Sequence, residues 1–277
     1  MISFSSEVKK ELSEINNLSN KNLVKAELMG YLATNSTNKF STTNQYNINR
    51  FSKLLKNVGE NDFTIRINGN NFEIKTKNKI NINQEINTED EKKALIRGAF
   101  LGAGTISNPA SIYHLDISFE NEKFAYITQQ ILQEKEIKSK IITRDKKIVV
   151  YIKDGESISK FLALIGANNS VLKFEETRVI KDVRNKVNRI VNCETANLNK
   201  TINSAVKQIE DIKLIKLKKK LKDLSSKERE LAKLRLNNPD ISLAELGKML
   251  NPSISKSGVN HRMKKIEDLA NKLRMEE

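Results

Sequence analysis

Two apolar segments, residues 28–36 and 96–104, carry glycine inside a helical pattern, where an isolated soluble helix would avoid it. Gly30 and Gly98 each fall on the face that is expected to meet a partner helix. Because a missing Cβ lets two backbones approach closely, we expect these helices to pack against each other. The chain must then fold around a central helix pair.

Each of these helices opens a similar series of patterns. After the first, residues 44–50 suggest a strand and residues 51–57 a short helix, and alternation on both sides of Asn68-Gly69 predicts a hairpin. The second of these helices would begin with a capping box of Thr88 and Glu91 and run to about Leu101. After it, alternating apolar residues at 113–119 and 148–152 predict strands on either side of a helix at 122–134. A polar turn at 144–147 and a last helix at 157–165 complete the series. We therefore predict an α+β domain with pseudo-twofold symmetry, built from two αββαββ halves.

Positive charge is concentrated towards the C-terminal end of the chain. Residues 178–277 hold 24 Lys and Arg against 13 Asp and Glu, whereas residues 1–177 hold 25 against 21. The richness in Lys, Asn and Ile is partly what an AT-rich genome encodes, but such bias does not explain the asymmetry between the two parts. A localised basic module is typical of a protein that binds nucleic acid, because neutralised phosphates release counterions.

Three segments follow from these patterns: residues 1–173, a basic helical linker at 174–222, and a small helical domain at 223–277. In the linker, Arg189 and Lys200 are possible phosphate contacts. The lysine-rich run from Lys213 to Lys222 is as typical of a solvated helix face as of phosphate contact.

The last segment has the spacing of a helix-turn-helix, with the motif at about 242–274. Ser225 with Glu228 and Ser242 with Glu245 predict two capping boxes, each opening a helix with leucines on its inner face. Pro252 ends the second helix, and a third begins near Ser255 after a turn of four residues.

The start of that third helix combines short hydrogen-bond donors with long cations. This is the end that enters the major groove in a helix-turn-helix. The predicted DNA-binding residues are Ser255, Lys256, Ser257, Asn260, His261, Arg262, Lys264 and Lys265. The alternative is a protein-binding helical bundle with a solvated basic face.

The composition predicts neither a metal nor a cofactor. Cys193 is a lone cysteine and the chain has only two histidines, so there is no Cys/His cluster for a structural metal. No apolar run approaches 18 residues and the N-terminal sequence lacks the apolar stretch of a signal peptide, so we expect a cytoplasmic protein without membrane contact. The predicted DNA binding would make it nucleoid-associated.

The paired glycine helices resemble degenerate copies of the LAGLIDADG motif of homing endonucleases. That resemblance implies an acidic residue near the end of each helix, which would bind metal at the scissile phosphates. Here the two positions are Asn35 and Ala103, neither of which is a carboxylate, so we expect no nuclease chemistry. An alternative, a phosphate-binding loop at Gly98, Gly102 and Gly104, lacks the G-x-G-x-x-G spacing and follows a helix where a strand is required.

Five strings along the chain are distinctive: FSSEVK at 4–9, IRGAFLGAG at 96–104, YHLDI at 113–117, VNCETANLNKT at 191–201 and SKSGVNHR at 255–262. Together they resemble the bacterial WhiA family over essentially the whole chain. The resemblance implies a catalytically silent LAGLIDADG-like domain and a C-terminal helix-turn-helix similar to the promoter-reading region of sigma factors.

The WhiA resemblance also implies a role in cell division, chromosome segregation or transcription regulation, with double-stranded DNA and transcription or chromosome-associated proteins as partners. The homing endonucleases further imply a sheet surface over the duplex, to which Arg66, Lys75 and Lys77 could add phosphate contacts. A residual nuclease and a protein-interaction scaffold are the rival functions.

Overall fold

The computed structural model describes residues 2–35, 38–82, 84–145 and 147–276. The chain divides into two compact units, residues 1–183 and 184–277. The first unit combines helices with two antiparallel sheets, and the second is helical.

The first half of the first unit contains three helices and a three-stranded sheet of order β1-β3-β2. In chain order the elements are α1 (Phe4–Ser13), α2 (Lys21–Thr34), β1 (Lys39–Thr42), α3 (Gln45–Asn57), β2 (Phe63–Asn68) and β3 (Asn71–Thr76). Between α2 and α3 the described residues contain one strand, where the αββαββ pattern predicts two.

The second half follows the αββαββ order and adds a closing helix. Its elements are α4 (Glu89–Ala103), β4 (Gly104–Ile106), β5 (Leu115–Phe119), α5 (Glu122–Glu134), β6 (Lys140–Arg144), β7 (Lys147–Ile152) and α6 (Gly155–Ile165). The sheet has the order β4-β5-β7-β6, with every pairing antiparallel.

Two local predictions in the first half are wrong. Residues 45–50 are helical, because Ile48, Phe51 and Leu54 recur at helical spacing and bury one face of α3, while the side chain of Asn44 caps the helix by accepting a hydrogen bond from Asn47 N at 3.1 Å. In the hairpin, Asn68 is still in β2 and pairs with Asn71, so the turn is formed by Gly69, at φ 57°, and Asn70. Of the polar turn at 144–147, Lys146 lies outside the described residues.

Helices α2 and α4 pack closely, as the glycines predict. A Cβ on Gly30 would lie 2.1 Å from the carbonyl oxygen of Leu95, and a Cβ on Gly98 would lie 1.8 Å from that of Glu27. Both distances are far below van der Waals contact, so each glycine admits the backbone of the opposite helix. The capping box of α4 forms as predicted, with Thr88 and Glu91 in reciprocal hydrogen bonds.

A buried ion cluster lies beside this helix pair. The carboxylate of Glu27 is fully buried, accepts hydrogen bonds from Arg50 Nε at 2.8 Å and Nη2 at 2.9 Å, and lies 3.2 Å from Arg97 Nε. Arg97 also donates to the carbonyl oxygen of Ile165 at 3.3 Å. The three side chains thereby connect α2, α3, α4 and the end of α6.

Helix α7 (Asn168–Leu217) begins in the first unit and continues into the second. A 3-10 turn (Leu221–Asp223), α8 (Ser226–Asn237), α9 (Leu243–Met249) and α10 (Lys256–Met275) follow. The capping boxes at Ser225 and Ser242 both form. Six residues separate α9 from α10, two more than predicted, because Leu250 ends α9 with extended backbone angles and Ser255 caps α10 from outside the helix.

Candidate nucleic-acid interface

Helix α10 has one buried face, which fixes its orientation on the rest of the second unit. Val259, Met263 and Ile266 are buried in a core with Leu231 of α8 and Leu246 of α9. The turn before α10 is tight, since a Cβ on Gly247 would lie 2.3 Å from the carbonyl oxygen of Ile254. Close packing of α9 on this turn holds the start of α10 in place.

The opposite face of α10, in its N-terminal half, is exposed. At 3.6 residues per turn, Ser257, Asn260, His261 and Lys264 project from one side of the helix, and each is solvent-exposed. None of their side chains has a hydrogen-bond or ion-pair partner within the part of the chain that the structure describes. This is a free set of amide, imidazole, hydroxyl and ammonium groups on one helix face.

The other predicted α10 residues are placed differently. The Ser255 hydroxyl caps the helix by accepting a hydrogen bond from Gly258 N at 3.2 Å, and Lys256 is exposed in the first turn. Arg262 is half-buried, on the side away from Asn260. Lys265 lies at the edge of the exposed face, 3.6 Å from the carboxylate of Glu228.

Glu228 contacts both Lys265 of α10 and the start of α8. Burial raises the pKa of its carboxyl, but hydrogen bonds from the backbone and side chain of Ser225, together with Lys265, outweigh burial and hold the pKa below its usual value. A charged Glu228 therefore both caps α8 and pairs with α10.

Arg235 is a buried cation that sequence reasoning missed. It is the largest fully buried side chain of the chain's described part, and its Nη1 donates to the carbonyl oxygens of Asn238, Pro239 and Ile241, the last at 2.8 Å. It thus holds the connection between α8 and α9. Nothing in the local pattern distinguishes Arg235 from the exposed cations of α8.

The C-terminal half of α10 is held against α7 by two ion pairs. Arg274 Nη2 lies 2.5 Å from the buried carboxylate of Asp211, and Lys207 pairs with Glu267. These pairs lie beyond the exposed N-terminal face and leave it open.

The predicted phosphate contacts lie on two different elements. Arg189 and Lys200 are exposed on α7. In the first unit, Arg66 and Lys75 lie on the outer face of the first sheet, opposite Glu73 and Thr64 respectively, while Lys77 lies just beyond β3 with its ammonium 3.4 Å from Asp62.

Sequence reasoning missed the corresponding cations of the second sheet. Lys140 and Arg144 lie on the face of β6 opposite the partly buried Ile141, and both are exposed. The predicted pseudo-twofold symmetry could have indicated these two cations, because it relates the second sheet to the first, which carries Arg66 and Lys75.

The two degenerate motif positions lie at the ends of the central helices. Asn35 caps α2, and its Nδ2 donates to the carbonyl oxygen of Tyr31 at 3.0 Å and to Thr34 Oγ1 at 3.1 Å. Ala103 is the last residue of α4. Within the described residues, no group of three or more His, Cys, Asp and Glu side chains is placed to hold a metal ion. The helix ends therefore present an amide and a methyl group where two-metal hydrolysis would use carboxylates.

No helix in the described ranges combines the length and apolar character needed to span a bilayer.

Comparison with known proteins identifies both units. Residues 187–270 match the WhiA C-terminal HTH domain and residues 92–184 match the WhiA LAGLIDADG-like domain. A probable cell division protein WhiA of Clostridium acetobutylicum is 51% identical over 191 residues, which cover 69% of this chain and 60% of that protein. A protein of the same name from Clostridium tetani is 49% identical over 197 residues, covering 71% and 62%. The matched part of the chain thus spans about 60% of the length of these relatives.

Solved structures agree on the fold. The chain superimposes on full-length DUF199/WhiA from Thermatoga maritima with a TM-score of 0.62 and 28% identity, covering 98% of this chain and 99% of that one. The N-terminal LAGLIDADG domain of DUF199/WhiA gives a TM-score of 0.52 at 23% identity, covering 60% and 94%, a likeness of fold alone. On the two domain matches, the close relatives and the shared architecture, the chain belongs to the WhiA family.

Proposed function

We propose that this protein is a non-enzymatic, sequence-specific binder of double-stranded DNA that acts in cell division, chromosome segregation or transcription regulation. The observation that carries the proposal is the exposed, unpartnered face of Ser257, Asn260, His261 and Lys264 at the start of a helix whose other face is buried in a helix-turn-helix core. The names of the relatives support the link to cell division.

The chemistry of this face suits the major groove. An asparagine amide can form two hydrogen bonds with the edge of adenine, and a lysine ammonium attracts phosphate without regard to sequence. Asn260 would then contribute discrimination between sequences, and Lys264 affinity. Ser255, Lys256, Arg262 and Lys265 would contribute phosphate contacts around the same site.

The first unit would act as a scaffold with a minor part in DNA binding. Arg66, Lys75 and Lys77 could contact phosphates, but residues 1–177 carry a small excess of positive charge compared with residues 178–277. Asn35 and Ala103 support the absence of nuclease activity. The division into segments 1–173, 174–222 and 223–277 stays a prediction, as do a nucleoid location and partners among transcription or chromosome-associated proteins.

The test measures binding of the full chain to its preferred duplex and to random duplex by fluorescence anisotropy. Mapping bound DNA across the genome would supply the preferred duplex, and transcript levels in a deletion strain would separate transcription from chromosome organisation. We expect Asn260→Ala to reduce the discrimination between the two duplexes by about 1 to 3 kcal/mol, and Lys264→Ala to weaken both alike.

Asn237→Ala is the matched control, since it removes the same side chain from an exposed position at the end of α8 in the same unit. An unchanged ratio for Asn260→Ala would mean that α10 is wrongly oriented in the proposal. A parent protein without salt-dependent duplex affinity would favour the protein-interaction scaffold instead.

A further inference from the structure

The part of α7 that lies in the second unit carries a row of asparagines. At 100° per residue, five of them fall within an arc of about 60° and repeat along roughly 27 Å of helix. They are Asn185, Asn188, Asn192, Asn199 and Asn203, and all are solvent-exposed. Arg189 and Lys200 flank the same arc. These seven residues are called the asparagine face below.

The polar groups of the asparagine face are free. Across the described ranges of the chain, none of its five amides takes part in a side-chain hydrogen bond, and neither Arg189 nor Lys200 has an ion pair. By contrast, two other cations of this unit form ion pairs: Lys207 with Glu267, and Arg274 with Asp211.

The apolar residues of α7 lie on a different side of the helix. Val187, Val191, Leu198 and Ile202 project together and are exposed. Their stripe continues into Ala205, which is buried, and Ile212, which is buried in the core of the second unit. The core therefore fixes the rotation of α7 and directs the asparagine face away from it.

We propose that the asparagine face is a second DNA-binding surface, separate from α10, which contacts duplex DNA through base edges and phosphates. Amide side chains donate to and accept from base edges, and the flanking cations neutralise phosphates. An exposed helix fits the major groove, which is about 12 Å wide. A basic helix that contacts its target over several turns is known from basic-region proteins.

The first test replaces three amides at once, as Asn188→Ala with Asn192→Ala and Asn199→Ala, in the full chain. Alanine is the best helix former, so the helix itself is not weakened, and circular dichroism should be unchanged. We expect duplex affinity to fall by about tenfold or more, because three hydrogen bonds to base edges are lost together. Asn197→Ala is the matched control, since Asn197 is exposed on the same helix but lies outside the arc; it should bind like the parent.

The second test removes the cations. Arg189→Ala with Lys200→Ala should make the slope of log affinity against log salt shallower by about 1.8, because each phosphate contact contributes about 0.9. Lys123→Ala, an exposed lysine of α5, should leave the slope unchanged.

Parent-like affinity and slope in both α7 variants would overturn the proposal. So would a loss confined to RNA, which would assign the face to a different nucleic acid. The α10 hypothesis fails separately, through an unchanged discrimination ratio in Asn260→Ala, so the two surfaces are judged by different measurements.

Discussion

Replacing Gly98 tests whether the central helix pair is the structural basis of the first unit. The Cβ of Gly98→Ala would lie 1.8 Å from the carbonyl oxygen of Glu27 and 2.8 Å from its carbonyl carbon, and both are backbone atoms. A flexible side chain could move aside, but a helix backbone cannot. Helices α2 and α4 must therefore separate by roughly 1.5 Å to reach ordinary contact distance.

Two opposing terms determine the size of the effect. Alanine is better than glycine in a helix interior by about 1 kcal/mol, which favours the variant. Overpacking a well-packed contact costs about 1 to 3 kcal/mol, and the rigid backbone here places Gly98→Ala at the upper end. The net destabilisation is about 2 kcal/mol, which lowers the Tm of a unit of this size by about 4 to 8 °C. Gly98→Val should be worse, since two further methyl groups enter the same contact.

Tyrosine signals make the measurement specific to the first unit. All five tyrosines lie between residues 31 and 151, and the chain has no tryptophan. Near-ultraviolet circular dichroism of tyrosine therefore follows unfolding of the first unit, while the far-ultraviolet signal follows helices in both units.

Gly258→Ala in α10 is the control for glycine replacement as such. Its Cβ would lie 3.4 Å from Ile254 Cδ1, an ordinary contact, so alanine should stabilise the second unit by about 0.5 to 1 kcal/mol. A Gly98→Ala protein whose tyrosine transition matches or exceeds that of the parent would refute the close contact between α2 and α4.

Three further predictions follow from the buried and capping groups. Glu27→Gln should destabilise the first unit by about 3 to 5 kcal/mol in urea unfolding, because two buried guanidinium groups lose their anion. The control Glu85→Gln, at an exposed position outside the helices and strands, should have no effect. Because the pKa of Glu228 is lower in the folded protein, its stabilising contribution is present above the unfolded glutamate pKa of about 4.3 and is lost as pH falls through the lower folded value. The difference in unfolding free energy between the parent and Glu228→Gln should therefore shrink in acid. A difference that stays constant with pH would contradict this assignment. Supercoiled plasmid incubated with the protein and Mg²⁺ should remain intact, since Asn35 and Ala103 replace the acids of the motif, and nicking that chelation abolishes would establish a residual nuclease.

Features set by neighbouring residues could be predicted from the sequence. The capping boxes at Thr88, Ser225 and Ser242 form as expected, because both partners of each lie within four residues and the hydrogen bonds are local. The contact of Gly30 and Gly98 was also predictable, since only close backbone approach explains glycine within apolar helices.

Short elements were not predictable with the same accuracy. Strands β1 and β4 have four and three residues, too few for alternation to be distinguished from chance. The order β4-β5-β7-β6 depends on pairings between residues far apart in the chain, which no local pattern encodes.

The charged groups show most clearly what tertiary structure alone decided. In the sequence, Arg50, Arg97 and Arg235 look like the exposed cations around them, yet all three are buried. Arg50 and Arg97 are compensated by Glu27, 23 and 70 residues away, and Arg235 by carbonyl oxygens of a turn that exists only after α8 and α9 pack. Sequence determines which groups carry charge, but the energy of a charge depends on whether water or a partner surrounds it, and only the folded chain brings those partners together.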